Sequence, residues 1–150
     1  MNEKLESQLV GVAGEYLVAG ELSLRGILAS ITLRNSKGID IIASNSDASK
    51  SISIQVKTNS NGANKWILNK KSEDYYSENL YYVFVAIREL GTRPNFHIVP
   101  SKIVASFIKE KHKTWLSGNK RDGSRRKDSN MRKFIDSSNQ YLENWDILGI

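Results

Sequence analysis

The chain has 150 residues and a formal net charge of +6, and 39% of its residues are hydrophobic. These values are typical of one globular domain with a core of its own, so a single domain over residues 1–150 is predicted. The absence of cysteine excludes disulfides, thiolate metal sites and cysteine nucleophiles. No apolar run approaches the ~20 residues that cross a bilayer, so no membrane partner is expected. The segment from Met1 to Glu6 carries acids and lacks the apolar core of a signal peptide, which favours a cytoplasmic location.

The first predicted element is a helix from Leu5 to Arg25, followed by Gly26 as a typical helix end. Its apolar and small residues recur at three- and four-residue spacing and are Leu5, Leu9, Val12, Ala13, Tyr16, Leu17, Gly20 and Leu24. Glu15 has no basic residue one turn away, whereas Glu21 has an arginine four residues later as a surface partner. Glu15 is therefore either a partly exposed helix residue or a functional carboxylate.

Apolar alternation and turn residues predict three strands next, at Ile27 to Arg34, Ile39 to Ala43 and Ser51 to Thr58. A turn over residues 35–38 joins the first two. In the second strand Asp40 lies between two isoleucines. A carboxylate in so apolar a segment must be solvated at an edge, hydrogen-bonded, paired or bound to a cation. The sequence offers Lys57, as a salt-bridge partner, or a metal ion.

The third strand alternates cleanly. Gln55 and Lys57 share one face and Ile54 and Val56 share the other, because successive strand side chains point to opposite faces. If the second and third strands are neighbours, the acid of Asp40, the amide and the amine converge at the rim of the sheet. That convergence is the candidate functional site.

The next predicted elements are a short strand at Trp66 to Leu68, a polar helix or loop at Lys70 to Asn79, a buried strand at Leu80 to Ile87 and a strand at Phe96 to Val99. A helix from Ser101 to about Trp115 and a loop at about 117–130 follow. The chain ends in a C-terminal helical segment, with a helix around Met131 to Ile135 and a closing stretch at Tyr141 to Leu148. This order predicts an α/β or α+β domain with a mixed central sheet flanked by helices.

Positive charge is concentrated towards the C-terminus, where residues 102–133 contain eleven lysines and arginines against three acids. Such a cluster is the usual footprint of a polyanion, and nucleic acid is the predicted partner. The candidates for contacts with the phosphate backbone lie in the loop and are Lys120, Arg121, Arg125, Arg126 and Lys127. The alternative is a loop that only contributes to solubility.

Three motifs in order, Gly14-Glu15 on the helix, Gly38-Ile39-Asp40 and then Gln55-Val56-Lys57 on strands, resemble the PD-(D/E)XK nuclease superfamily. The pattern is most similar to its Holliday junction resolvase-like branch. The resemblance covers residues 9–58 by motif and extends to about residue 109 by the order of elements. It implies the restriction endonuclease-like αβββαβ core and the activity of a metal-dependent DNA endonuclease.

The resemblance also implies roles for individual residues. Asp40 would be the central metal ligand. The side-chain oxygen of Gln55, the backbone carbonyl of Val56 and, directly or through water, Glu15 would be further ligands. Lys57 would orient the attacking water or help to deprotonate it. Mg²⁺ is the implied ion, with Mn²⁺ as a substitute, because Mg²⁺ prefers oxygen ligands and needs only one or two carboxylates beside the substrate phosphate. Resolvase-like relatives act as dimers, so a homodimer is a further expectation.

The sequence departs from the family pattern at Gln55, where an acid is commoner. An amide supplies the same oxygen without its charge, which weakens the field on a hard cation. Two alternatives to an active nuclease follow. One is a catalytically inactive nucleic-acid-binding module of the same fold, and the other is a protein-interaction partner whose basic loop faces an acidic protein.

Overall fold

The structure is a computed structural model that describes residues 6–33 and 37–150. The helices and strands are α1 (Ser7–Leu24), β1 (Leu28–Ile31), β2 (Ile41–Ser44), β3 (Ser51–Asn59), β4 (Lys65–Asn69), β5 (Leu80–Ala86), β6 (Asn95–Pro100), α2 (Ser101–Ser117) and β7 (Met131–Ile135). Short 3₁₀ helices occur at Lys70–Glu73 and Trp145–Leu148. Neither α-helix of the described part has the length and apolar character that would span a bilayer.

The strands form two sheets. The larger has the order β1-β2-β3-β5-β6, in which β3 and β5 are parallel and the other neighbours antiparallel. The smaller is an antiparallel ribbon of β4 and β7. The predicted α+β class with a mixed sheet is confirmed. The connection from β3 to β5 contains β4 and a 3₁₀ helix.

The predicted helix over residues 131–135 is wrong, because this segment is strand β7. Its burial alternates: Arg132 and Phe134 point inwards, as in a strand that covers a core with one face. Its partner β4 lies more than sixty residues earlier in the chain. A pairing between segments so far apart leaves no signal in a short window of sequence.

Hydrophobic clusters cover both faces of the large sheet. On one face, α1 and the C-terminal segment pack against the inward residues of β2, β3, β5 and β6. On the other face, the β4–β7 ribbon and α2 enclose an aromatic cluster that includes Trp66, Tyr82, Phe84 and Phe134. The side chains of β3 therefore divide between two environments, with Ile54 in the first.

Helix α1 buries a different face from the one its apolar spacing predicts. The buried residues are Val10, Gly14, Val18 and Leu22, each four positions apart. The predicted apolar positions Leu9, Tyr16 and Leu24 are 57%, 67% and 83% exposed. The helix rotates this way because it approaches β3 through the glycine: a methyl group at position 14 would lie 1.7 Å from the hydroxyl oxygen of Thr58.

Replacing Gly14 with alanine is expected to destabilise the protein by about 1 to 3 kcal/mol, because the helix or Thr58 must move to accept the added carbon. Gly20 is the matched control, since a methyl group there meets no atom within 4 Å. Gly20→Ala should be neutral or stabilise by up to about 1 kcal/mol through its better helix propensity. Urea denaturation of both variants checks the pair, and equal effects would show that the contact at residue 14 is not close.

Candidate active site

Asp40 lies one residue before β2, where four hydrogen bonds fix it, one of them a 3.3 Å bond from the Thr32 hydroxyl to the Asp40 carbonyl. Its N–H donates to the carbonyl of Ile54 over 2.9 Å, and its carbonyl accepts the N–H of Thr32 over 2.9 Å. Its carboxylate oxygen Oδ2 accepts the N–H of Val56 over 2.7 Å. The carboxylate thus takes the place of a main-chain acceptor at the point where β2 stops pairing with β3. Among the described residues, none donates a hydrogen bond to the second oxygen, Oδ1.

Burial raises the pKa of Asp40 above its ordinary value. The hydrogen bond from Val56 and the positive charge of Lys57 lower that pKa and offset part of the rise. Because the net shift is upwards, the folded environment stabilises ionised Asp40 less well than water does. The hydrogen bond and the lysine charge therefore do not fully compensate for burial of the negative charge. A bound cation would supply the missing compensation.

Glu15 and Asp40 line the same cleft, which has a volume of about 240 Å³. Its walls are the N-terminal half of α1, the two residues that follow β1 and Asp40 before β2. Glu15 is half-buried, and it comes directly after Gly14, the residue that packs on β3. The close approach of helix and strand at residue 14 therefore fixes the position of the Glu15 side chain relative to the sheet.

Gln55, Val56 and Lys57 lie on β3 beside Asp40. The β2–β3 register ends where Ile41 lies opposite Ile54, and the N–H of Asp40 bonds to the carbonyl of Ile54 as well, so Asp40 lies at the end of the ladder next to Val56. The N–H and C=O of one residue in a strand point to the same edge. The carbonyl of Val56 thus faces the edge at which its N–H contacts Asp40. Lys57 is close enough for its charge to act on the Asp40 pKa. Neither Gln55 nor Lys57 lines the cleft that Glu15 shares with Asp40.

Tyr82 is a further residue near this site. The sequence analysis predicted only that it lies on a buried strand. In the parallel register of β3 and β5 it lies beside Gln55. Its hydroxyl is buried and forms no hydrogen bond with any residue of the described ranges. Burial raises the pKa of Tyr82 above its ordinary value, the nearby Ser72 hydroxyl offsets part of that rise, and the charge of Asp40 adds to it weakly. Only the register between distant strands could have identified this residue.

Tyr75 closes over the turn that leads into Asp40. A methyl group on Gly38 would lie 2.8 Å from the tyrosine ring, and Gly38 has φ +67°, a conformation that favours glycine. The Tyr75 hydroxyl donates a hydrogen bond to the carbonyl of Lys37 over 3.3 Å. The ring and the glycine together shape the segment that carries the carboxylate.

The basic loop lies on another part of the surface. Four of its five candidate residues are exposed, and the fifth, Arg126, stacks over the ring of Trp115 at 5.1 Å and donates to its carbonyl over 2.6 Å. A turn organises the loop: the N–H of Lys120 donates to the carbonyl of Ser124, and the N–H of Gly123 donates to the carbonyl of Lys120. None of the five lines the cleft of Glu15 and Asp40.

The donor set suits a hard divalent cation, although it is poor in charge. The described ranges contain no group of three or more histidine, cysteine or acidic side chains placed to hold a metal ion. The candidate oxygen donors are the carboxylates of Asp40 and Glu15, which share the cleft, and the side-chain amide of Gln55 and the backbone carbonyl of Val56 on strand β3. Oxygen donors of this kind are the ligands of Mg²⁺ and Mn²⁺, whereas Zn²⁺ sites favour nitrogen and sulfur.

No protein-family model and no curated protein matches the chain. Solved structures do. Hjc, a Holliday junction resolvase from the archaeal hyperthermophile Archaeoglobus fulgidus, matches with a TM-score of 0.50 and 14% identity, over 85% of this chain and 84% of that one. The bacterial homing endonuclease I-Ssp6803I matches with a TM-score of 0.52 and 14% identity, over 96% and 92%. Sequence identity this low shows the fold alone. The chain thus has the restriction endonuclease-like, PD-(D/E)XK-type fold.

Proposed function

We propose that the protein is a metal-dependent endonuclease that hydrolyses phosphodiester bonds in DNA. The observation that carries the proposal is the placement of Asp40: it shares a cleft with Glu15 and accepts a hydrogen bond from the strand that bears Gln55 and Lys57. The fold is common to a resolvase and a homing endonuclease, which supports DNA as the substrate.

Asp40, Gln55 and the carbonyl of Val56 would hold Mg²⁺ or Mn²⁺, with Glu15 as a direct or water-mediated ligand. When bound, the cation supplies Lewis acidity at the phosphate and lowers the pKa of a coordinated water. Asp40 contributes Oδ1, because its other oxygen is engaged by the N–H of Val56. That hydrogen bond orients the carboxylate before any ligand arrives, so little reorganisation is needed.

Lys57 would act on the attacking water and on the phosphate. It shares a face of β3 with Gln55 and its charge reaches Asp40. An ammonium group there orients the water through a hydrogen bond and offsets the negative charge that builds on the phosphate oxygens in the transition state. Its aliphatic stem lies over the aromatic side of the sheet, next to Phe84 in the β3–β5 register.

A catalytically inactive DNA-binding module is the second candidate, and the amide at Gln55 favours it. Cleavage distinguishes the two. Purified protein with Mg²⁺ or Mn²⁺ should cut at least one of linear, supercoiled and branched DNA, and EDTA should stop the reaction. If all three substrates stay intact but shift on a gel, the enzyme is excluded and the binding module remains.

Replacing Gln55 with glutamate is expected to tighten Mn²⁺ binding by at least about tenfold, because a third carboxylate adds charge next to the cation. Gln55→Met has a similar length and no oxygen, so it should weaken binding. Isothermal titration calorimetry measures both affinities. If neither variant differs from the wild type, Gln55 is not a ligand.

A further inference from the structure

Three lysines from three elements meet on the side of the molecule formed by the β4–β7 ribbon and α2. Lys65 on β4, Lys133 on β7 and Lys111 on α2 line one depression of about 330 Å³. Lys65 pairs with Ile135, two residues beyond Lys133, so the two lysines are diagonal neighbours on the outer face of the ribbon. These three residues are called the lysine cluster below.

The lysine cluster carries charge that its own fold does not neutralise. The other basic side chains of the depression have partners: Arg132 pairs with Glu73 at 2.6 Å, and the ring of His112 hydrogen-bonds to Asp128 at 2.7 Å. The cluster lysines form no ion pair with any residue in ranges 6–33 and 37–150. The pKa of Lys133 is lowered chiefly by the charge of Lys65, with burial and Lys111 adding to the effect. The charges of Lys65 and Lys111 therefore repel the ammonium group of Lys133, and an anion bound in the depression would relieve that repulsion.

Flat and apolar groups accompany the charges. Trp115 lines the same depression and is 43% exposed, with the guanidinium of Arg126 over its ring. Ile67 and Met131, on the outer face of the ribbon, are 60% and 49% exposed. The ring of His112 also stacks on Trp115, with 5.5 Å between the ring centroids. Lysines beside partly exposed apolar groups suit a nucleic acid, whose phosphates supply negative charge and whose sugars supply apolar surface.

The ribbon is fixed to the rest of the fold, so the lysine cluster keeps its place. Trp66 donates its indole N–H to the carbonyl of Val85 on the large sheet over 2.9 Å. The Arg132 to Glu73 pair has side chains only 2% and 13% exposed, and it ties β7 to the 3₁₀ helix after β4. The cluster is therefore a preformed surface and does not depend on the basic loop.

We propose that the lysine cluster binds the phosphate backbone of DNA, at a contact surface separate from the cleft of Glu15 and Asp40. The inference rests on the proposed function only in taking DNA as the ligand. A duplex presents one negative charge per ~1.7 Å of its axis, so adjacent phosphates can meet three neighbouring lysines at once. The contact would position the DNA without reading its sequence.

The test is the salt dependence of DNA binding, measured by fluorescence anisotropy with a labelled duplex in EDTA. Lys65→Gln/Lys133→Gln should bind about tenfold more weakly at 0.15 M salt, and the slope of log affinity against log salt should fall by about 2. The matched control is Lys50→Gln/Lys113→Gln, which makes the same change in net charge outside the cluster. It should stay within about twofold of the wild type.

Thermal unfolding shows whether the cluster variant is folded. Removing two repelling charges should leave the midpoint unchanged or higher. Equal affinity and slope in the cluster variant and the wild type would overturn the inference even if the protein cuts DNA. A wild type that does not bind the duplex, or that binds it with no salt dependence, would overturn it as well. A protein that binds through the cluster but never cuts would contradict the proposed enzyme and leave this inference standing.

Discussion

Asp40→Asn is expected to reduce DNA cleavage by at least about a thousandfold while the protein stays folded, because the substitution removes the central anionic ligand and keeps the shape of the side chain. The asparagine oxygen can still accept the N–H of Val56, the 2.7 Å bond that joins the β2 and β3 segments. A metal-free protein should therefore lose no stability. Single-turnover cleavage and thermal unfolding, each measured with and without Mn²⁺, check the two parts of the prediction.

The pH dependence of this variant has a defined sign. Burial raises the pKa of Asp40 in the folded state, so ionising this residue is unfavourable for folding, and that penalty is complete above the folded pKa. Without metal, Asp40→Asn should be at least as stable as the wild type at pH 7. Its advantage should fade as the pH falls through the raised pKa, because the wild-type acid becomes neutral there.

Metal should raise the thermal stability of the wild type and not that of Asp40→Asn. A ligand at a hundred times its Kd stabilises the folded state by about 2.7 kcal/mol, so Mn²⁺ should raise the wild-type midpoint and not that of Asp40→Asn. Asp47→Asn is the control, because Asp47 is exposed in the turn at the other end of β2 and its oxygen accepts the N–H of Ser49. It should behave as the wild type. Normal cleavage by Asp40→Asn would remove this residue from the mechanism.

Lys57→Met is the second large expected effect, a loss of about 10² to 10⁴ in the rate of the chemical step. The methionine keeps a flexible apolar stem of similar length beside Phe84, so folding should be preserved. Asp40 keeps its hydrogen bond to Val56, so Mn²⁺ binding should change far less than the rate does. Single-turnover rates with saturating DNA, together with calorimetry for the metal, separate these quantities.

Lys57→Arg then divides the two roles of the lysine. Arginine keeps the positive charge but does not give up its proton in a protein. Recovery of most of the rate would assign Lys57 to charge stabilisation, and a loss as large as that of methionine would assign it to proton transfer or to exact placement of the water. A Lys57→Met enzyme within tenfold of the wild type would show that the residue does neither.

Local patterns in the sequence were sufficient for much of the fold. The alternation of β3, the apolar run of β5 and the helix beginning after Pro100 each predict the right element, because burial of one face imposes a short, regular period. The buried face of α1 was predicted wrongly. There a glycine sits in the closest contact with β3, and its lack of a side chain outweighs the larger apolar residues on the other faces.

Some residues of the candidate site and of the lysine cluster follow from local sequence patterns, and others do not. Residue type and order predicted that Asp40 lies near the strand of Gln55 and Lys57, and the structure has Asp40 directly before β2 with its carboxylate hydrogen-bonded to Val56 of β3. Tyr82 and the lysine cluster could not be predicted, because both depend on pairings between distant segments: β3 with β5 in the first case, and β4 with β7 in the second. The sequence predicted a phosphate-binding role for the basic loop, because positive charge is dense along the chain there. It did not predict the lysine cluster, whose residues come together only in the folded protein.

A crystal soaked in Mn²⁺, with anomalous diffraction recorded near the manganese edge, tests the central claim most directly. One anomalous peak should lie within bonding distance of Asp40 Oδ1, with the side-chain oxygen of Gln55 and the carbonyl of Val56 around it and Glu15 beside it. The peak should be absent from Asp40→Asn crystals soaked in the same way. A site without density in the wild type, at Mn²⁺ concentrations that support cleavage, would contradict the account.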